Sequence, residues 1–309
     1  MTEGTVTGSL VSPGLAIPAG RRQDRVRFQR SSIPLLLPAT ILLVVLFLGP
    51  VAYSFYYGFT NLELIGPTAT HYQFTGLTNF NQMVSDPIFG QSLYLTAFFV
   101  VGSGVIGATG IGLMLAIAMQ SSLAVVRILI GALVVVCFML PPITVAMVWY
   151  AASTAGGTLT TLFGSPSSDF LHSFPMVLVG AANTWSLAGL AMLLFAAALR
   201  NIPREVVESA ELESATAVQR FFRITLPLLK PTILTTVLLM TLLSLANFTI
   251  VYIMTAGGPG TETMILPVYS YQQAFQFNHL AYGALIGDAM VLLATVVSFF
   301  YVRVSRARV

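Results

Sequence analysis

A set of apolar runs, too long for any soluble core, constrains this chain most. They lie at about 33–57, 92–119, 128–152, 176–199, 232–256 and 282–302. Together they contain one acid, Asp288, and no Lys or Arg. About 20 apolar residues carry a helix across the hydrocarbon of a bilayer. A transmembrane strand needs only about 10 residues of alternating polarity, which these runs do not show. In lipid each segment must satisfy its own N–H and C=O groups, so the fold class is all-α integral membrane with six transmembrane helices. Charged residues make up only 8% of the 309 positions, against roughly 25% in soluble domains. Cys137 is the single cysteine, which excludes an intrachain disulfide and a cysteine metal cluster.

The placement of charge orients the spans. Six crossings put both termini on one side. All 14 basic residues fall on that side: Arg21, Arg22, Arg25, Arg27, Arg30, Arg127, Arg200, Arg204, Arg220, Arg223, Lys230, Arg303, Arg306 and Arg308. The opposite loops carry Glu63, Asp86, Asp169 and Glu262 without any Lys or Arg. The positive-inside rule then makes both termini cytoplasmic. Residues 1–30 read as a cytoplasmic tail, polar and disordered over 1–20. The tail has neither the basic start nor the apolar core of a signal peptide. Residues 31–309 form the membrane domain. Pro50 is expected to kink span 1, and Pro141-Pro142 to interrupt span 3. The glycines of span 2 (Gly102, Gly104, Gly107, Gly110, Gly112) suit close helix packing, with a pore-lining role as the alternative.

One charged island breaks the apolar pattern. It runs from Ile202-Pro203-Arg204-Glu205 through Glu208, Glu211 and Glu213 to Phe221 and Ile224-Thr225-Leu226-Pro227. Pro203 at the start, acids in the first turns and Arg220 and Arg223 at the end predict one helix over about 203–222, ended before Pro227. Val207, Ala210, Ser214, Val218 and Phe221 would share a small apolar face. A helix lying on anionic lipid presents Lys or Arg, whereas this one presents Glu. It is better suited to the groove of a protein partner.

Here the residues resemble the cytoplasmic coupling-helix motif of permease subunits of ATP-binding-cassette importers. That pattern is Glu-Ala-Ala, three residues, Gly-Ala, then a spaced Phe and Ile-x-Leu-Pro. This chain has Glu208-Ser209-Ala210, Ser214-Ala215, Phe221 and Ile224-Thr225-Leu226-Pro227. It departs at Ser209 (usually Ala), Glu213 (usually Asp) and Ser214 (usually Gly). Phe59-Thr60-Asn61, Phe74 to Phe80, Leu140-Pro141-Pro142 with Trp149, and Tyr252 with Thr255 to Pro259 and Thr261 resemble the carbohydrate-uptake branch of maltose and glycerol-phosphate transporters. The resemblance implies a bacterial inner-membrane permease working by alternating access. It implies a second permease subunit, a dimer of ATPase subunits and an extracytoplasmic solute-binding protein as partners. Membrane lipid surrounds the chain, and no nucleic acid is involved. ATP and Mg would sit in the ATPase chains, and this chain, which has no G-x-x-x-x-G-K-[ST] loop, would bind no cofactor. Glu208, Ser209, Ala210, Glu213, Ser214, Ala215, Phe221 and Pro227 are the implied ATPase-coupling residues.

Polar groups inside spans are the candidates for the solute path. Span 5 offers Ser244, Asn247 and Tyr252. The family's sugar contacts cluster there, and the maltose-type permease has an Asn at the position of Asn247. Amides and hydroxyls bond sugar hydroxyls, and aromatic faces stack on sugar rings. A helix–helix hydrogen bond is the competing role for Asn247. Span 4 offers Asn183, and Trp185 as an interfacial anchor. Asp288 could bond solute or partner, or face a wet cavity. Import of amino acids, peptides or another small solute is the runner-up, followed by an ion-coupled carrier. A membrane enzyme would need clustered catalytic groups, and His71, His172 and His279 are far apart in sequence.

The orientation makes a direct prediction. With Cys137 replaced, single cysteines at Ser168 and Thr261 react from outside with an impermeant thiol reagent. One at Ser214 reacts only after permeabilisation, and outside labelling there would reverse the topology.

Overall fold

The computed structural model describes residues 33–120 and 123–306, so the expected tail at 1–30 lies outside the described residues. Those residues are helical apart from loops and one isolated antiparallel bridge, Thr60 to Phe74. The chain divides after Gly49. Before the division lie α1 (Ile33–Leu43) and a π-helical turn, Val44–Leu48. There the Gly49 N–H reaches back to the Val44 carbonyl, one residue further than in an α-helix. That wider turn stands directly before Pro50.

The second part, residues 50–309, holds the rest. α2 (Gly49–Gly58) begins one residue before the division, and the loop helices α3 (Pro67–Thr70) and α4 (Thr78–Ser85) follow it. Span 2 is continuous over Pro87–Ala118: α5 (Pro87–Phe99), a π-helical segment Val100–Ala108 and α6 (Thr109–Ala118). Span 3 is not a rod. Helices α7 (Ala124–Met139) and α8 (Pro142–Ser153) meet at 104°. Pro141 and Pro142 have no N–H to continue the ladder, and Leu140 is extended, as a residue before proline prefers. Among the described residues five continuous helices are long and apolar enough to cross, and the count is six with the bent pair taken as one broken span. The short α9 (Thr158–Leu162) and α10 (Phe170–Ser173) precede α11 (Pro175–Arg200), which is span 4.

The island is two helices rather than one. α12 (Arg204–Leu212) stops, and α13 (Ala217–Arg220) starts afresh. Ser214 has φ 57°, in the left-handed region, and the Ala215 N–H bonds the Ala210 carbonyl. This is the helix-ending turn in which glycine is the usual left-handed residue. Thr216 then caps α13 in a reciprocal box with Gln219. The predicted stop at Pro227 fails for a related reason. Pro227 stands in the first turn of α14 (Leu226–Leu245), where a missing N–H costs nothing. A π-helical turn, Phe221–Thr225, joins α13 to α14, so one continuous helix runs over Ala217–Leu245.

Span 5 also breaks where continuity was expected. After Leu245 the helix ends, and α15 (Thr249–Thr255) begins beyond Asn247. The Asn247 Oδ1 accepts the Ile250 N–H at 3.3 Å, the local competition by which Asn ends and restarts helices. Ala256 (φ 49°) and Gly257 (φ 92°) close α15. The positive φ of Gly257 is what calls for glycine there; the nearest atom to an added Cβ, at 2.8 Å, belongs to the flexible end of Met264. α16 (Leu266–Tyr271), a π-helical turn Gln272–Gln276 and α17 (Leu280–Arg306) complete the chain.

Close packing centres on span 2. A Cβ on Gly104 would lie 2.4 Å from Ser244 Oγ, on Gly107 2.4 Å from Thr184 Oγ1, and on Gly112 2.5 Å from Ala191 Cβ. Those three glycines let spans 4 and 5 approach; Gly102 and Gly110 face open space.

Asp86 fixes one end of the bundle. It caps α5 by accepting the Ile88 N–H at 2.9 Å, and its Oδ2 accepts from both Tyr269 and Tyr282. Burial pushes this carboxyl up. Hydrogen bonds from the two phenols and from the Ile88 and Phe89 N–H groups outweigh that and hold it below its ordinary value. Burial, then the Asp86 contact, pushes the Tyr269 phenol up to about 12. The lowered carboxyl contributes stability that is complete above the unfolded value of 3.8 and lost as pH falls through the folded value. The raised phenol contributes below 10.0, and that is lost as pH rises through about 12. Asp86→Asn, which keeps an acceptor but no charge, therefore melts below wild type at neutral pH. The gap closes as the pH falls below about 4. A gap constant across that range would remove the charge from the account.

Candidate solute path and coupling surface

A polar layer crosses the bundle between two apolar cores. One core includes Phe99, Val179, Leu245 and Ile250; the other includes Ala108, Ala191, Met192 and Met240. Ser103 on span 2, Asn183 and Thr184 on span 4 and Ser244 on span 5 fall between the two sets, and Asn247 follows Leu245 of the first. Asn183, fully buried in α11, donates through Nδ2 to Ser103 Oγ at 2.7 Å and to Ser244 Oγ at 2.9 Å. Its Oδ1 accepts from Asn247 Nδ2 at 2.7 Å. Ser103 Oγ donates to the Phe99 carbonyl, and Thr184 Oγ1 donates to the Ser103 carbonyl at 2.9 Å. Both amide hydrogens and the carbonyl oxygen of Asn183 are thus used.

Three of the sequence-derived path residues, Asn183, Ser244 and Asn247, therefore meet. Asn247 is only half-buried, and one of its amide hydrogens is committed to Asn183. Tyr252 lies on α15, in a ring cluster with Phe248 and Tyr271. Asp288 does not join either group. It is buried on α17, where a Cβ built on Gly58 would lie 3.8 Å from its Oδ2. That Oδ2 has no partner among the described residues. Trp185 packs edge-on against Trp149 at 6.4 Å, beside an apolar groove of about 680 Å³ between spans 2, 3 and 4. Sequence reasoning missed Ser103 and Thr184, which look unremarkable in apolar runs. It also missed Tyr271, although the clustering of Tyr, Gln and Phe over Tyr269–Gln276 was there to be read.

At the other end, α12 stands out. Glu205, Glu208, Ser209 and Glu213 are exposed, and Ser209 Oγ turns back to the Glu205 carbonyl at 2.7 Å. Ala210 is buried within this chain and Ala215 half-buried, so neither lies on a freely presented face. The single face predicted over Val207 to Phe221 is divided by the turn at Ser214. Of that face Val218 is exposed as expected, and Val206, Leu212 and Phe222, outside it, are exposed apolar side chains too. Phe221 lines a pocket of about 330 Å³ with Ile117, Leu199, Ile202 and Ile224.

Residues 108–309 match the family model described as binding-protein-dependent transport system inner membrane component. A probable ABC transporter permease protein of Pyrococcus horikoshii is 34% identical over 281 residues, 86% of this chain and 92% of that one. A sulfoquinovosyl glycerol transport system permease protein of Agrobacterium fabrum is 31% identical, covering 90% of this chain and 91% of that one. An sn-glycerol-3-phosphate transport system permease protein of Pectobacterium atrosepticum is 30% identical, covering 90% and 97%. The crystal structure of a bacterial ABC transporter that imports alginate matches with a TM-score of 0.70 over 90% of this chain and 95% of that one. At 20% identity, that match speaks for the fold. This chain belongs to the binding-protein-dependent transport system inner membrane components, as a multi-pass permease subunit of an ATP-binding-cassette importer whose ATPase is a separate chain.

Proposed function

We propose that this permease subunit imports a carbohydrate or polyol solute, pairing with a second, homologous permease subunit to form the path. The observation that carries this reading is the likeness, over nine-tenths of the chain, to permeases named for a glycosyl glycerol and a glycerol phosphate. An extracytoplasmic binding protein delivers the solute to the outer face, and two ATPase chains, which hold ATP and Mg, dock on the cytoplasmic face. The termini lie on that cytoplasmic side. Domain 31–309 is the transport unit, and 1–30 is a cytoplasmic tail.

α12 and the turn after it form the coupling element, with Glu208, Ser209, Glu213 and Ser214 turned to the ATPase. Ala210, Ala215, Phe221 and Pro227 hold it against spans 4 and 5. The exposure of the acids supports this, because a helix held only by its own chain has no need of an exposed acidic face flanked by bare Val206 and Leu212. ATP-driven closure of the ATPase dimer moves α12. The continuous helix Ala217–Leu245 carries that motion to the break at Asn247. The solute path takes in Ser244, Asn247 and Tyr252, with Asn183 behind them and Asp288 toward span 1.

Reversing one charge tests the coupling. Glu208→Lys inserts normally but loses solute-stimulated ATP hydrolysis or releases the ATPase on purification, since like charges repel in a tight interface. An intact complex with undiminished stimulation would refute the docking role of α12.

A further inference from the structure

We infer that the chain binds an anionic phospholipid where the ends of spans 2 and 4 meet the start of the span 5 helix. Its phosphate rests on Arg220 and Gln120, and its first methylenes rest on an apolar wall. The inference goes beyond the import reading and takes from it only the cytoplasmic orientation of these helix ends.

The site is the pocket of about 330 Å³ in which Phe221 stands. Three helix ends build it. Ile117 lies in the last turn of span 2, and the Gln120 N–H bonds the Ile117 carbonyl at 2.9 Å, which turns Gln120 back beside it. Leu199 comes from the last turn of span 4. Ala217 and Arg220 open the helix that becomes span 5. At these points the apolar runs give way to charge, so the pocket lies at the depth of lipid headgroups. The lining has two characters. Leu199, Ile202, Phe221 and Ile224 are apolar, whereas Arg220 and Gln120 are polar. Among the described residues no acid lines it. The exposed Glu205, Glu208 and Glu213 stand before the turn at Ser214 and take no part in it.

Local structure holds the cation in place. The reciprocal box of Thr216 and Gln219 fixes the start of α13, and Arg220 is the last residue of that helix. The wider π-helical turn that follows brings Phe221, Ile224 and Thr225 to the pocket. Arg220 is half-buried. Its guanidinium has five N–H donors, enough to grip a phosphate beside any other contact. Ala217 offers only a methyl group and leaves room that a longer side chain would fill.

The lining also selects the ligand. A soluble phosphate would use the polar end alone and gain nothing from four apolar side chains. A phosphodiester joined to acyl chains uses both. Basic pockets between spans on the cytoplasmic side hold anionic headgroups in this way. Arg200 and Arg223, both exposed, adjoin the lining residues Leu199 and Ile224 in sequence and add to the attraction. A choline headgroup would return a cation to this basic surface, so the anionic class is favoured.

The test uses the complete transporter in nanodiscs of phosphatidylcholine, with phosphatidylglycerol added in increasing proportion. Melting temperature and the lipid retained in native mass spectrometry are read. Both leaflets of a nanodisc have one composition, so the result does not depend on the orientation, which thiol labelling tests separately. Phosphatidylglycerol is expected to stay on the wild-type complex and raise its melting temperature. The proportion giving half the effect rises about tenfold in Arg220→Gln and partly recovers in Arg220→Lys. Ala217→Leu fills the pocket with the charge kept, and it loses the retained lipid. Ala217 is exposed at the start of a short helix, so this variant carries the test if Arg220→Gln fails to assemble. Retention unchanged in both variants overturns the site and leaves the lipid on the basic surface at large. Equal retention of phosphatidylcholine overturns the anionic class. An equal gain from inorganic phosphate in pure phosphatidylcholine discs overturns the lipid.

Discussion

The amide of Asn183 holds the bundle together at its middle. Two apolar layers lie on either side of it, and apolar side chains cannot distinguish packing against one another from packing against lipid. The directional contacts do that work. One buried amide binds Ser103 of span 2, Ser244 of span 5 and Asn247 at the break, and so sets the register of three spans. The glycines make the approach possible. With side chains at Gly104 or Gly107, Ser244 and Thr184 would be pushed away from the layer. Every hydrogen of the Asn183 amide is used, which is the condition under which a buried polar group stabilises rather than costs.

The consequences of that layer run in both directions. On one side, the unbroken helix Ala217–Leu245 joins it to α13, the second helix of the island, beyond the turn at Ser214. On the other side, the chain breaks at Asn247 and re-forms as α15, whose end is fixed by Gly257 and by the contact of Thr255 with Thr263. The ring cluster stands on this outer piece. Asp86, gripped by two tyrosines, anchors the start of span 2 to α16 and α17 around it. A long continuous helix and a separately anchored short one thus meet at one amide.

Much of this was legible in the sequence. The apolar runs dictated an all-helical membrane fold, and the double proline marked the broken span. The island and the Gly-Gly-Pro turn carried the family. What escaped was set by single residues that propensity does not weigh. Ser214 holds a left-handed turn that nothing in its type announces, so one helix was expected where there are two. The glycine usual at that position of the Glu-Ala-Ala motif suits this left-handed backbone. Pro227 was read as a stop because its place in a first turn depends on where the preceding helix ended. Asn247 was placed on a continuous face because the competition of its side chain for the Ile250 N–H is invisible without coordinates. Ser103, the third arm of the polar layer, is a small residue in a glycine-rich run and gives no sign of its partner 80 residues away.

The central claim is that the Asn183–Asn247 contact holds the two halves of span 5 to span 4. A double-mutant cycle on that pair tests it most directly, with Asn183→Ala, Asn247→Ala and the double substitution assembled into the complete transporter. Melting and solute-dependent transport are measured for each. The account predicts that the double variant is little worse than the more damaging single one, with a coupling of roughly 0.5–1.5 kcal/mol between the two sites. Losses that simply add would mean the two amides act independently, and would contradict it.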